Sequence, residues 1–260
     1  MDEVNYIFPF GQLVIKRIPE IFEQRQLYIL GAYPSALHVY WNPPAPYRTI
    51  KAIAVDNEPD IFWSGQNEEQ IIAIWKKTVA FDNAWGSIRS AGIFNGSSGL
   101  WIDNLILSAF KILREETWFS DCLDTYHCSK RLSLRLEDTY RPFAKEYNLP
   151  LPHLPSPPSE NEIVKMAIDK QLERIKSEMR EAKPEIIVSL GNAALRVLSR
   201  ILHADTELPK RLFPPPERYG IPIQVRIPGN GVSRWFPLAH PGSPRLYQNA
   251  HERWLESHGS

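Results

Sequence analysis

The chain has 260 residues, 43% hydrophobic and 23% charged, the balance of a water-soluble globular protein with enough length for one substantial core. Its 30 Lys and Arg offset 30 Asp and Glu, so no overall field recruits nucleic acid, and any such contact has to be local. No apolar run approaches the roughly 20 residues needed to cross a bilayer, and Asp2 and Glu3 stand where a secretory leader would be basic. A cytoplasmic protein without membrane attachment is expected. Cys122 and Cys128 are too few for a four-cysteine zinc site or an iron–sulfur cluster and are expected to be reduced and structural. With the histidines scattered, no metal site and no cofactor are expected.

In chain order, "QLYILGA" predicts a buried strand over 27–31 that breaks at Gly31 into a loop carrying Tyr33, Pro34, Ser35 and His38. "IKAIAVDN" predicts a second strand at 51–55, followed by a helix near 66–80, a helix near 103–115 and a strand at "TWFSDCL". Ser159 and Glu162 have capping-box spacing, and Ile163, Val164, Ala167, Ile168, Leu172, Ile175 and Met179 recur at helical intervals until Pro184. One long amphipathic helix follows from that pattern. "EIIVSLG" is a short apolar run of the buried parallel type, placing a strand at 186–190. A turn at Gly191–Asn192, a helix at "AALRVLSRIL", a strand at 235–239 and a helix near 245–257 complete the series. Pro-rich "WNPPAPY", "NLPLPHLPSPP" and "FPPPERYGIP" predict surface loops. Strands alternating with helices predict an α/β fold, a single domain over 1–260 with a central parallel sheet in a three-layer α/β/α arrangement.

In such sheets ligands bind beyond the carboxyl ends of the strands, which directs attention to "GAYPS", "VDNEP", "SDCLDTYH", "LGNAA" and "AHPGSPR". Neither G-x-G-x-x-G nor a phosphate-binding G-x-x-x-x-G-K loop occurs. Taken in order, "GAYPS" at 31–35, "WFSDCLD" at 118–124, "IIVSLGNAAL" at 186–195 and "HPGSPR" at 240–245 resemble the motifs of the uracil-DNA glycosylase superfamily over about 27–255. The resemblance implies a monomeric DNA glycosylase that flips a base out of double- or single-stranded DNA and hydrolyses its N-glycosidic bond to leave an abasic site. It also implies no membrane partner.

The roles implied are specific. His240 occupies the place of the superfamily histidine that donates to the base oxygen. Ala32, Tyr33, Pro34 and Ser35 line the first loop, the last two beside the glycosidic bond and backbone. Arg245 and Leu246 stand where a side chain enters the vacated stack, and Gly242 and Ser243 offer donors to phosphate. Tyr33 replaces the acid or amide that many members carry, and a phenol is a poor general base at neutral pH. The carboxylate is therefore expected from Asp56, helped by Asn57, with Glu58 next in line and a strand-end turn cap as the bland alternative for Asp56. Asp121 stands where uracil-reading members have Asn. An ionised carboxylate only accepts, which suits the amine of cytosine rather than uracil O4. Removal of ordinary cytosine would destroy the host genome, so the expected base is a modified pyrimidine, such as hydroxymethylated or glucosylated cytosine of phage DNA, in an antiviral role. Uracil excision in repair, or an inactive DNA-binding module, are the alternatives. Asp124 is the second candidate for the reader, and Arg196, Arg200 and Arg253 read as solvated helix faces.

Overall fold

The computed structural model describes residues 5–19, 23–212, 219–242 and 245–258. The chain divides into two compact units, with the path crossing from one to the other five times. The first comprises Met1–Arg17, Pro34–Gly99 and Thr125–Pro157, and the second Ile18–Tyr33, Leu100–Asp124 and Pro158–Ser260.

The second unit holds the mostly parallel sheet. Its strands are β1 (Leu27–Gly31), β5 (Thr117–Asp121), β6 (Ile186–Leu190), β7 (Ile223–Arg226) and β8 (Val232–Leu238), in the order β5-β1-β6-β8-β7. All neighbours are parallel except β7, which runs antiparallel to β8 at one edge. Every residue of β1 and β6 is buried, as expected for strands covered on both faces. Helices flank the sheet: Leu172–Ala182 buries Ile175, Met179 and Ala182, and Gly191–Leu198 buries Ala194, Leu195, Val197 and Leu198. The expected mixed α/β class and the strands at 27–31 and 186–190 are thus present, the strand expected at "TWFSDCL" covers Thr117–Asp121, and the one expected at 235–239 runs over Val232–Leu238.

The long helix contains an irregularity that the periodicity hides. Glu160–Met166 and Leu172–Ala182 are α-helical, and Ala167–Gln171 forms a π-helical turn between them. The Ser159/Glu162 capping box is present. The helix expected near 103–115 instead begins at Ser97, passes through a π-helical segment Ile102–Leu107 and ends at Phe110.

The first unit is built on a separate three-stranded sheet, β3-β2-β4, comprising β2 (Ala36–Asn42), β3 (Ile50–Asn57) and β4 (Ser87–Ser90). This corrects the assignment of 51–55 to the parallel sheet. The connection over 43–49 is far shorter than the dozen or so residues a parallel crossover needs, so β3 turns back antiparallel onto β2. It also corrects His38, which lies within β2 and not in a loop. Leu37, Val39 and Trp41 point inward, and His38, Tyr40 and Asn42 alternate with them on the other face.

Trp41 anchors this unit's core. Its ring lies 5.6 Å from Phe10, 5.5 Å from Tyr140 and 4.8 Å from Phe143, centroid to centroid, and its indole N–H donates to the Trp85 carbonyl at 2.8 Å. Trp41→Ala should destabilise the unit by about 3–5 kcal/mol, measured as a lowered urea midpoint of the transition that reports on it.

Candidate functional site

Register gathers the strand ends of the second unit along one edge. Gly31 lies opposite Asp121, and Leu190 opposite Leu238, so the residues that follow β1, β5, β6 and β8 emerge together. The pairing of β1 with β5 continues past the strands, the Cys122 N–H donating to the Gly31 carbonyl and the Leu123 N–H to the Ala32 carbonyl, each at 3.0 Å. At the end of β6, Gly191 takes φ +86° to turn the chain into its helix, and a Cβ there would sit 3.7 Å from His240 Cβ. Ala32, Tyr33, Asp121 and His240 therefore belong to one sheet edge.

His240 is half-buried, and its Nδ1 accepts the Gly242 N–H at 3.0 Å. Burial pulls its pKa below the ordinary histidine value, so at neutral pH the ring is uncharged. With Nδ1 accepting, the single ring proton is on Nε2, which is left as a donor. The same bond uses the Gly242 N–H, which is therefore not the open phosphate donor expected of it. The residue before His240 is held from both sides. The Ala239 N–H donates to Tyr219 Oη at 2.8 Å, and the His251 ring meets the Ala239 carbonyl through Nε2 at 3.2 Å. Burial lowers the His251 pKa to about 4, which keeps that ring neutral as well.

Asp121 is 3% exposed. Arg174, on the turn of helix just past the π-helical segment, donates to the Asp121 backbone carbonyl at 2.6 Å and to Ser120 Oγ at 2.9 Å. Its other contacts are Gln171 Oε1 at 2.8 Å and the carboxylate of Glu178, which also accepts from Tyr28 Oη at 2.8 Å. Gln171 in turn donates to Asp124 Oδ2 at 2.9 Å, so the alternative reader is tied to the helix. Arg174 and Glu178 are 18% and 5% exposed at their side chains. The sequence reading missed this network: two residues four apart on an amphipathic helix look like a surface pair, and burial alone distinguishes them.

In the first unit, Pro34 and Ser35 meet the end of β3, where Ala36 lies opposite Asn57 and Leu37 opposite Asp56. Asp56 Oδ1 accepts the Asn57 backbone N–H at 2.8 Å and its side-chain amide at 3.3 Å, the strand-end turn. The Asn57 amide is committed to the N-terminal segment, accepting from the Ile15 N–H at 3.1 Å and donating to the Leu13 carbonyl at 2.9 Å. Glu58 stands differently. It is 4% exposed, its Oε1 accepts the Ser35 N–H at 2.9 Å, and burial, opposed by that bond and the Arg17 charge, pushes its pKa up to about 7. Asp56 and Asn57 belong to the first unit and His240 to the second.

Ser243 lies outside the described residues, as do the side chains of Arg245 and Leu246, whose backbone begins the helix Arg245–His258. Arg196 pairs with Glu160 at 3.0 Å and Asn161 at 2.7 Å, as a solvated helix face does. Both cysteines are buried free thiols. Among the described residues no group of three or more His, Cys, Asp or Glu could hold a metal ion, and no helix is long and apolar enough to cross a membrane. Neither a protein-family model nor a curated protein sequence matches the chain.

Arg174→Met strands Glu178 as an uncompensated buried charge and should cost about 3–5 kcal/mol, read as a drop in unfolding free energy; Arg174→Lys, which lacks the planar fork, should recover only part of it. Glu58 makes a prediction of opposite pH sign to that of the buried histidines. Its folded pKa of about 7 exceeds the unfolded value, so its contribution is present below about pH 4.5 and is lost as pH rises through about 7. The stability difference between wild type and Glu58→Gln, followed by urea unfolding, should therefore shift in favour of the variant between about pH 5 and pH 8.

Proposed function

We propose that this chain is a DNA glycosylase of the uracil-DNA glycosylase type, with that superfamily's three-layer arrangement, acting on a modified cytosine flipped out of DNA. The observation that carries the reading is one parallel-sheet edge bearing Ala32, Tyr33, a buried carboxylate at Asp121 and a neutral histidine whose Nε2–H is left to donate. Hydrolysis breaks the bond from C1′ to the base nitrogen; the electron pair leaves with the base, water adds to C1′ and its proton passes to solvent. Negative charge develops on the base, where a pre-positioned neutral donor such as His240 Nε2–H stabilises it without the cost of burying a cation. Asp121 accepts from the exocyclic amine of a cytosine-type base, and Tyr33 and Ala32 flank the base.

The sugar side develops positive charge and calls for a carboxylate. Asp56 and Glu58 both lie in the first unit and are not assigned to this edge. The biological setting that fits a modified-cytosine substrate is defence against phage DNA carrying hydroxymethylated or glucosylated cytosine, in the cytoplasm and with the protein as a monomer.

Single-turnover base release, scored as alkali-labile strand breaks in duplexes containing hydroxymethylcytosine, its glucosylated form, uracil or hypoxanthine, tests the reading. His240→Ala should slow release by about 10²–10⁴-fold while leaving DNA affinity nearly unchanged. Asp121→Asn should move preference toward uracil by roughly 5–150-fold, the equivalent of one good base contact. Uracil release with no activity on any cytosine derivative would overturn the assignment of Asp121, and DNA binding without release from any substrate would overturn the enzyme reading.

A further inference from the structure

The outward face of the three-stranded sheet sets a tyrosine among exposed cations. Tyr40 lies at its centre, and Arg89, its direct partner on β4, places its guanidinium carbon 3.8 Å from the Tyr40 ring centroid. On the other side the register shifts between Val39 and Trp41, so that Tyr40 faces Lys51 and Ala52 together. Such a bulge re-aims the side chains beside it. Two hollows open from this row. One, of about 650 Å³, is lined by Tyr40, Tyr47, Arg48, Lys51 and Arg135 with Asp138; the other, of about 560 Å³, by Tyr40, Lys51, Arg89 and Phe94 with Glu69.

Charge makes this face a candidate for a polyanion. Arg25, Arg114, Arg141, Arg174, Lys176, Arg196, Lys210 and Arg226 are each paired with a carboxylate. Arg48, Lys51, Arg89 and Arg135 make no ion pair among the described residues, although Asp138 and Glu69 lie in the same hollows. The nearby carboxylate of Glu146 is engaged by Tyr47 Oη. Unpaired cations spaced around an aromatic ring, on a chain whose total charge is zero, are the pattern of a surface that follows a phosphate backbone and stacks its bases. A solvated face of ordinary cations would not be expected to hold a tyrosine under a guanidinium between two open hollows.

We propose that this sheet face binds an unpaired nucleic-acid strand, with phosphates at Arg48, Lys51, Arg89 and Arg135 and a base stacked against the Tyr40–Arg89 pair. The proposal concerns a surface of the first unit alone and is independent of base release, because it holds for strands without any modified base. A fluorescein-labelled oligothymidylate titrated with the whole protein, by anisotropy at several salt concentrations, tests it, with the matching duplex and heparin as competitors.

Simultaneous reversal at Arg48→Glu, Lys51→Glu and Arg89→Glu should weaken binding at least about ten-fold. It should also lower the slope of log affinity against log salt by about 2, at about 0.7 per lost contact over three contacts. Tyr40→Ala should weaken binding about five-fold or more at unchanged salt slope, and Tyr40→Phe should retain it. Should the triple variant fail to fold, Arg48→Gln and Lys51→Gln, whose side chains make no ion pair among the described residues, should each lower the slope by about 0.7. Unchanged affinity in these variants, or duplex and heparin competing as well as the unlabelled strand while Tyr40→Ala binds normally, would overturn the proposal.

Discussion

The parallel pairing of β1 with β5 is the constraint from which the candidate chemistry follows. It sets Gly31 against Asp121 at the last rung and carries the ladder on through Cys122 and Leu123, so the chain leaving each strand is held in register after the sheet has ended. β6 and β8 finish level at Leu190 and Leu238, which places His240 along the same edge. A shift of one residue in β5 would turn Asp121 to the opposite face of the sheet. The position of that carboxylate is thus decided by backbone pairing as much as by its own contacts.

Holding the edge requires polar groups where the packing is otherwise apolar. Arg174 supplies them by reaching from the helical turn just past a π-helical irregularity to the Asp121 carbonyl and Ser120, with its charge balanced by a nearly buried Glu178. Replacing such an ion pair with apolar residues often leaves stability unchanged or improved, so its value lies in what the fork aligns rather than in net stabilisation. Around His240 the same task falls to neutral groups, Tyr219 and His251 on the preceding peptide and the Gly242 N–H on Nδ1. Rigid placement by supporting contacts is what a group needs if it is to meet charge only as that charge develops.

Most of the parallel sheet was legible in the sequence because its strands are short apolar runs separated by turn residues, and "EIIVSLGN" is the clearest of them. The other sheet was misread for a physical reason. The run Ile53–Val55 is apolar throughout, and nothing in its composition says whether its neighbour is parallel or antiparallel; the short connection at 43–49 does. Missing that turn moved Asp56 to an edge it does not occupy. The alternation of Leu37, Val39 and Trp41 with His38 and Tyr40 was likewise visible, yet Pro34 and Ser35 invited a loop. Glu58 could be named as a candidate but not weighed against Asp56, since the difference lies in burial and in which N–H each carboxylate accepts. Arg174 carried no local signal, because only the tertiary fold buries it.

Chemical identification of the product tests the central claim most directly. Mass spectrometry of the small molecules released from phage-type DNA rich in glucosylated hydroxymethylcytosine, incubated with the purified protein, should find the intact modified base, and the DNA should carry an equal number of abasic sites. Recovery of the DNA with every modified base still attached, or release of the glucose alone with the base left in place, would contradict the account.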